Sequence, residues 1–419
     1  MTSLSLLSWI GAGIALQLVV YLGVVYWHHW QAYFAMRQAL DESGLAPPEV
    51  TIERNPASPG AWADFRSFRV ERKQPEDPAG AICSFYLAPE DGLPLPPFLP
   101  GQYLTFRLEM AGAAGETEQV IRCYSLSDAP CPDAYRVSIK RVPSPDGRLS
   151  PGRASSFFHD KVEAGSLLQA RAPAGHFHLQ RGEAPVVLIG AGVGITPVLS
   201  MLNWCLAEQP GREVWLFYGV RNSGERIMRQ RLETMAAAIP NFHLRLCFSQ
   251  PLAQDVAGQD YQHRGHIDLS LLRTELPLKP FHYYLCGPTP LLESLVPALE
   301  AWGVPDARIH FEAFGPASVK RRSAVSPLAD TADGPPIMVD FALSGKQIPW
   351  QAGSGKLLDF AEANGISIDS GCRAGGCGTC LTRIRSGEVA YMQAPDFDPE
   401  PGTCLPCICT PKTRLTLEA

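Results

Sequence analysis

Ten residues near the C-terminus, "GCRAGGCGTC" (371–380), hold three cysteines and four glycines, and further cysteines follow at 404, 407 and 409. Half of the chain's 12 cysteines therefore fall between Cys372 and Cys409. Crowding of this kind suits a metal site in a reducing compartment rather than a disulfide scaffold. Zinc favours paired C-x2-C arms, which 377/380 and 404/407 would supply while leaving Cys372 idle. A [2Fe–2S] cluster takes C-x4-C-x2-C and a distant fourth thiolate, and so uses Cys372, Cys377 and Cys380 together. It also gives Gly371, Gly375, Gly376 and Gly378 a purpose. A backbone without side chains can wrap closely and aim N–H groups at sulfur.

A one-electron carrier needs a source of electrons, and stretches upstream have suitable residue types. In "RCYSLS" (122–127), Arg122 is a bidentate donor for phosphate, Tyr124 a flat face for a flavin ring and Ser125 a small hydrogen-bonding group. In "GAGVGITP" (190–197), Gly190, Gly192 and Gly194 follow an apolar run and open a helix. The spacing is G-x-G-x-G, shorter than the full dinucleotide fingerprint, and alone it reads as a glycine-rich strand-to-helix turn. "CGPTPLL" (286–292) puts Cys286, Gly287 and Pro288 at the C-terminal end of another strand, where open α/β sheets bind ligands. A plain buried cysteine is the alternative for Cys286.

Those residues need elements to position them. The chain has 419 residues, 46% apolar and 19% charged, which allows two or three packed domains and argues against disorder. A net charge of −6 speaks against a general electrostatic grip on nucleic acid, and none is expected as a partner. Over residues 63–180, short alternating stretches such as "FRSFRVERK" and "QYLTFRLEM" are broken by Pro/Gly turns, the rhythm of a small antiparallel β-barrel. Over 181–318 strands alternate with helices, which predicts a doubly wound parallel sheet of the α/β class. Residues 319–334 read as a linker. Residues 335–419 open with the hairpin-like "IMVDFALSGKQIPWQ", pass through a short helix and the cysteine loop, and end on a strand.

Leu4–Trp27 contains no charged residue. At ~1.5 Å per residue it makes a helix of ~36 Å, enough for a ~30 Å hydrocarbon core. It lacks the basic start and A-x-A-like site of a signal peptide. Residues 1–36 are accordingly expected to be a transmembrane anchor and 37–62 a Pro-rich tether. Arginines from Arg37 onward follow the span, which predicts a single-pass inner-membrane protein with cytoplasmic catalytic domains. His28 and His29 read as polar interface residues, not haem ligands.

Residues 335–419 resemble the plant-type ferredoxin (β-grasp) fold, whose last ligand lies in a C-x3-P stretch before the final strand. "CICTP" fits with Cys407 and Pro411, with Cys404 and Cys409 as alternatives for that ligand. "PGQYLTF" (100–106), "RCYSLSDAP", "VSIKRV", "GRASSFFHD" (152–160) and "APAGHF" (172–177) follow the order of ferredoxin–NADP reductase-type flavoproteins. They are most similar to the reductase part of flavohaemoglobins. The resemblance implies FAD, with Arg122 on its pyrophosphate, Tyr124 packed on the ring and Ser125 near N5. Gly152 and Ser155 would start a helix whose N-terminus receives phosphate, with Ser155 as its cap. It further implies NAD(P)H along Gly190, Gly192, Gly194, Thr196 and Pro197, with Cys286, Gly287 and Pro288 beside the nicotinamide. Glu312 and Phe314 of "FEAFGPAS" would lie near the flavin, making Ser125, Cys286 and Glu312 the catalytic group. Arg221 and Arg226 are candidates for a 2′-phosphate and leave NADH against NADPH open.

The domain order is similar to reductase components of ring-hydroxylating and phenylacetyl-CoA-type oxygenases. In the sodium-pumping quinone reductase subunit the ferredoxin precedes the flavin domain. The expectation is a membrane-anchored reductase passing electrons from NAD(P)H through FAD and a [2Fe–2S] cluster to an oxygenase, hydroxylase or desaturase. A quinone or ferric reductase without a protein partner, or a low-turnover redox sensor, are the alternatives.

Overall fold

The structure is a computed structural model and describes residues 62, 64–111, 116–144, 151–314, 336–351, 353–371, 373, 375–392, 395, 397 and 399–419. All of them belong to one compact unit, Arg54–Ala419.

Six antiparallel strands come first: β1 (Arg66–Pro75), β2 (Ile82–Pro89), β3 (Tyr103–Ala111), β4 (Thr117–Ser125), β5 (Tyr135–Lys140) and β6 (Leu167–Ala170). Their order is β4-β3-β6-β1-β2-β5, and a bridge from Leu126 to Val137 joins the two outer strands into a barrel. Period-two alternation sends Phe68, Val70, Phe85 and Phe106 inward. Helix α1 (Arg153–Lys161) plugs the barrel with Phe158, whose ring meets those of Phe85, Phe106 and Tyr124 at 5.1–5.4 Å between centroids.

A parallel sheet follows: β7 (Val186–Ala191), β8 (Val214–Val220), β9 (Phe242–Phe248), β10 (His263–Arg264), β11 (His282–Gly287) and β12 (Ile309–Ala313), in the order β10-β9-β8-β7-β11-β12. The continuous apolar run of β7 is explained by helices on both faces. Val186 and Leu188 pack with α2 (Ile195–Glu208). Val187 and Ile189 pack with α4 (Leu269–Glu275) and α5 (Thr289–Ala301), while α3 (Arg229–Ala238) lies beside β9. The strand order reverses between β7 and β11, which opens a crevice at their C-terminal ends.

The last sheet has the order β14-β13-β19-β15-β17, from β13 (Ile337–Phe341), β14 (Lys346–Trp350), β15 (Thr382–Ser386), β17 (Thr403–Cys404) and β19 (Leu415–Leu417). Two short strands, β16 (Val389–Tyr391) and β18 (Cys409–Pro411), pair beside it. Helix α6 (Leu357–Ala363) covers its face through Leu357, Phe360 and Ala361.

The membrane expectation is corrected. Among the described residues no helix is long and apolar enough to cross a membrane. The longest, α2, has 14 residues, ~21 Å against a ~30 Å core. Residues 4–27 lie outside the described residues. The described residues therefore give no support to the transmembrane anchor, to the membrane as a partner or to a single-pass inner-membrane location.

Asp128, just after β4, ties the barrel to the parallel sheet. Its carbonyl accepts from Ser200 Oγ at 2.7 Å, and its carboxylate accepts from Asn203 Nδ2 at 2.7 Å. The same carboxylate pairs at 3.1 Å with Arg136, a guanidinium that is almost wholly buried. Asp128→Ala should cost about 2 kcal/mol by leaving that charge without its carboxylate, read as a lowered urea midpoint against wild type.

Candidate functional site

The cysteine loop runs from the end of α6 to β15. Gly375 and Gly378 take positive φ of 80° and 71°, which turns the chain back around Cys377. Thr379 N–H points at Cys377 Sγ at 3.5 Å, and the Gly375 N–H is directed at the Cys407 sulfur. Cys380 and Cys407 lie with sulfurs 3.2 Å apart, and both are buried with Cys377. Cys404 and Cys409 form a separate thiol pair that packs into the sheet core with Val339 and Leu415. The structure thus sorts the three late cysteines and groups Cys407 with the loop. Cys372 lies outside the described residues, and among these no three metal-ligating side chains close on one point. The donor chemistry fits a thiolate-held cluster, since buried sulfurs approached by backbone N–H groups are what such a cluster requires.

On the barrel, the β3–β4 register sets Phe106 opposite Arg122, Leu104 opposite Tyr124 and Tyr103 opposite Ser125. Arg122 is exposed and donates to a neighbouring carbonyl, that of Ile121, at 2.7 Å. The Tyr124 ring is held edge-on by Phe158, and burial pushes its phenol up, so it stays neutral. Ser125 is buried. A Cβ on Gly152 would fall 2.7 Å from Ser155 Oγ. The capping role expected of Ser155 is corrected: Gly152 is the N-cap, and Ser155 Oγ donates to Gly152 O and accepts from Val142 N–H. The hydroxyl staples the helix start to the end of β5 and leaves the first helical N–H groups open. An exposed guanidinium, a flat ring and a helix N-terminus around one strand end fit a flavin with its phosphates.

In the parallel sheet, Gly190 lies opposite Cys286 across β7 and β11, and Cys286 lies opposite Glu312 across β11 and β12. A Cβ on Gly194 would fall 2.3 Å from the Cys286 carbonyl oxygen, so the glycine turn and the strand end touch through backbone alone. Gly192 takes φ of 54° in that turn. Gly287 packs on Ala191 and Leu291, and Pro288 is the N-cap of α5. Pro197 is buried within α2, and Thr196 Oγ1 donates to Val193 O at 2.9 Å, closing the turn rather than facing outward. Cys286 is fully buried, and burial holds its thiol protonated. Glu312 has Oε2 sealed from solvent with no hydrogen-bond partner among the described residues, and burial raises its carboxyl to about 8. Phe314 is 43% exposed at the end of β12. A glycine turn that meets the strand end through backbone, with the unpartnered carboxyl oxygen of Glu312 on the next strand, fits the reactive end of a dinucleotide.

Past β8, Arg221 pairs with Glu225 at 2.7 Å, and Ser223 donates to Asp255. Arg226 is buried, bonded to Asp260 O and paired with Glu233. Both arginines considered for a 2′-phosphate are thus engaged by acidic side chains. A cleft of about 800 Å³ opens here between the β1–β2 hairpin and the loops after β8, lined by Glu76, Arg136, Ser223 and Arg231 among others. None of the glycines of the 190–194 turn line it.

Sequence reasoning did not single out Tyr103, Arg171, Thr379 or Phe397. Tyr103 Oη lies where a Cβ on Gly376 would come within 1.8 Å, and Arg171 Nη1 donates to Cys377 O at 3.0 Å. The barrel therefore touches the cysteine loop beside Ser125. Tyr103 lies within and Arg171 beside a stretch with family-like order, but no spacing in the sequence marks them as partners of residues more than 200 positions away. If Cys407 is the fourth ligand, Cys407→Ser should abolish the low-temperature EPR signal of a reduced cluster, while Cys404→Ser and Cys409→Ser should retain it.

Residues 188–296 match the model of the oxidoreductase NAD-binding domain, and residues 341–412 that of the 2Fe-2S iron–sulfur cluster binding domain. Flavohaemoproteins of Halalkalibacterium halodurans and Rhizobium meliloti are each 40% identical, over 62% of this chain and 62% of theirs and over 63% and 64% respectively. The chain spans less than two thirds of the length of these relatives. The flavohaem-like FAD/NAD-binding domain of a nitric oxide dioxygenase from Vibrio cholerae is 34% identical, covers 60% of this chain and 100% of its own, and has a TM-score of 0.53. Phthalate dioxygenase reductase, a modular structure for electron transfer from pyridine nucleotides to [2Fe–2S], is 25% identical over 85% of this chain and 98% of its own, with a TM-score of 0.50. With its flavin barrel, nicotinamide sheet and C-terminal iron–sulfur domain, the chain belongs to the ferredoxin–NADP reductase-type flavoproteins, with FAD and [2Fe–2S] as its cofactors.

Proposed function

We propose that this protein takes electron pairs from NADH and delivers them singly, through its iron–sulfur domain, to a redox partner protein such as an oxygenase or hydroxylase. The observation that carries this reading is the seating of the cysteine loop against the flavin barrel at Tyr103, the cross-strand neighbour of Ser125. A route to the cluster then begins where the flavin would be reduced.

When bound, a flavin accepts a hydride and releases electrons one at a time, and a [2Fe–2S] cluster carries one electron. The chain's own residues bind, orient and exclude water. Arg122 and the N-terminus of α1 at Gly152 hold phosphate, while Tyr124 presents its ring and Ser125 a hydroxyl at the reactive edge. Gly190, Gly192 and Gly194 let a dinucleotide approach the backbone, with Thr196 closing the turn from below and Pro197 stiffening the start of α2. Cys286, Gly287 and Pro288 form the opposite wall. Cys372, Cys377, Cys380 and Cys407 would hold the cluster. No side chain acts as a nucleophile, so the rate rests on position.

Acidic engagement of Arg221 and Arg226 supports NADH, because a carboxylate near the adenosine ribose repels a 2′-phosphate. Anaerobic titration followed by optical and EPR spectroscopy tests the reading. NADH should bleach the flavin and bring up a reduced [2Fe–2S] signal, with kcat/KM at least tenfold above NADPH. Turnover should proceed with ferricyanide. Rapid turnover with quinone would favour a partner-free reductase, and negligible turnover with every acceptor a redox sensor.

Glu312 sets the pH behaviour. Its carboxyl is neutral at pH 7 and ionises as pH rises through about 8, placing a negative charge beside the point where electrons arrive. Flavin reduction by NADH should therefore slow above pH 8 in stopped-flow traces, and Glu312→Gln should flatten that limb.

A further inference from the structure

Arg171 leaves the end of β6 and crosses from the flavin barrel to the cysteine loop. Its Nη1 donates to the carbonyl of Cys377 at 3.0 Å, a bond between residues 206 positions apart. The guanidinium carbon lies 4.8 Å from the Phe65 ring centroid on the barrel side and 5.1 Å from that of Phe397 on the loop side. Phe397 is itself fixed to the loop. Its N–H donates to Gly375 O at 3.0 Å, and its ring leaves no room for a Cβ on Gly378, which would come within 2.7 Å. The planar cation is thus held between two aromatic faces and aimed at one backbone carbonyl, an arrangement lysine cannot reproduce. Next to it, Tyr103 packs under Gly175 and reaches Gly376.

We infer that Arg171 is a positioning residue for electron transfer within the chain: it clamps the backbone of the cluster ligand Cys377 to the flavin barrel and holds a positive charge beside the cluster. The inference rests on the reductase reading above. In the step concerned, one electron leaves the reduced flavin and converts [2Fe–2S]2+ to [2Fe–2S]+, with no bond made or broken. A fixed cation favours the more negative reduced cluster, and the clamp keeps the donor-to-acceptor gap short.

The test uses the holoprotein and two readouts, the cluster midpoint potential from a mediated EPR titration and stopped-flow traces that separate flavin reduction from cluster reduction. Arg171→Gln should shift the cluster's one-electron equilibrium about tenfold toward the oxidised form, ~59 mV lower. It should slow cluster reduction about tenfold and leave flavin reduction by NADH within twofold of wild type. Arg171→Lys should restore the potential and only part of the rate. Arg107→Gln removes a second arginine from the face of Phe65, at 4.2 Å, and should change neither quantity. Unchanged potential and rate in Arg171→Gln, or the same losses in Arg107→Gln, would overturn the inference. A wild-type cluster that NADH leaves oxidised would instead overturn the reductase reading, and this inference with it.

Discussion

Tyr103 meets Gly376 at a distance that admits no side chain. Much of the structure serves this contact. The tyrosine stands on β3 opposite Ser125, with Gly175 packed on its ring, and so belongs to the rim of the flavin barrel. Gly376 lies next to Cys377 in the loop that gathers the thiols. A Cβ at position 376 would force the iron–sulfur domain away from the barrel. Electron transfer weakens with every ångström of added gap, so glycine here matters for spacing as much as for loop conformation.

The same economy of side chains recurs at the nicotinamide end. Gly194 and the Cys286 carbonyl approach so closely that the crevice between β7 and β11 is walled by backbone. It arises where the strand order reverses, because helices leave on opposite faces of the sheet at that point. Thr196 nearby bonds the Val193 carbonyl instead of projecting outward, and Ser155 on the barrel does the same to Gly152. Glu312 is the exception, with an enclosed carboxyl oxygen that no described residue bonds. A buried polar atom left in this way costs stability unless a ligand or function answers for it.

Asp128 and Arg171 show two ways of joining domains. Asp128 draws Ser200, Asn203 and the buried Arg136 together, a dense polar junction between barrel and nicotinamide sheet. Arg171, backed by Phe65 on the barrel, reaches the iron–sulfur domain through one hydrogen bond and the ring of Phe397. The first junction immobilises; the second leaves a small, directional contact around the loop.

Much of the chemistry was legible in the sequence because it is local. The C-x4-C-x2-C spacing, the Arg-x-Tyr-Ser run on one strand and the glycine turn after β7 each place their groups through backbone geometry over a few residues. The alternation of strands 63–180 and the doubly buried run of β7 were readable for the same reason, since side-chain periodicity reports which faces are covered. Reading 4–27 as a span rests on hydropathy alone; the stretch lies outside the described residues, among which no helix is long and apolar enough to cross a membrane. Only the tertiary structure decided the rest. It separated Cys407 from Cys404 and Cys409, engaged Arg221 and Arg226 with carboxylates, turned Ser155 from cap to staple, and brought Tyr103 and Arg171 to the cysteine loop. Each of these depends on residues far apart in the chain, whose distance is set by how three sheets pack and not by any spacing along the backbone.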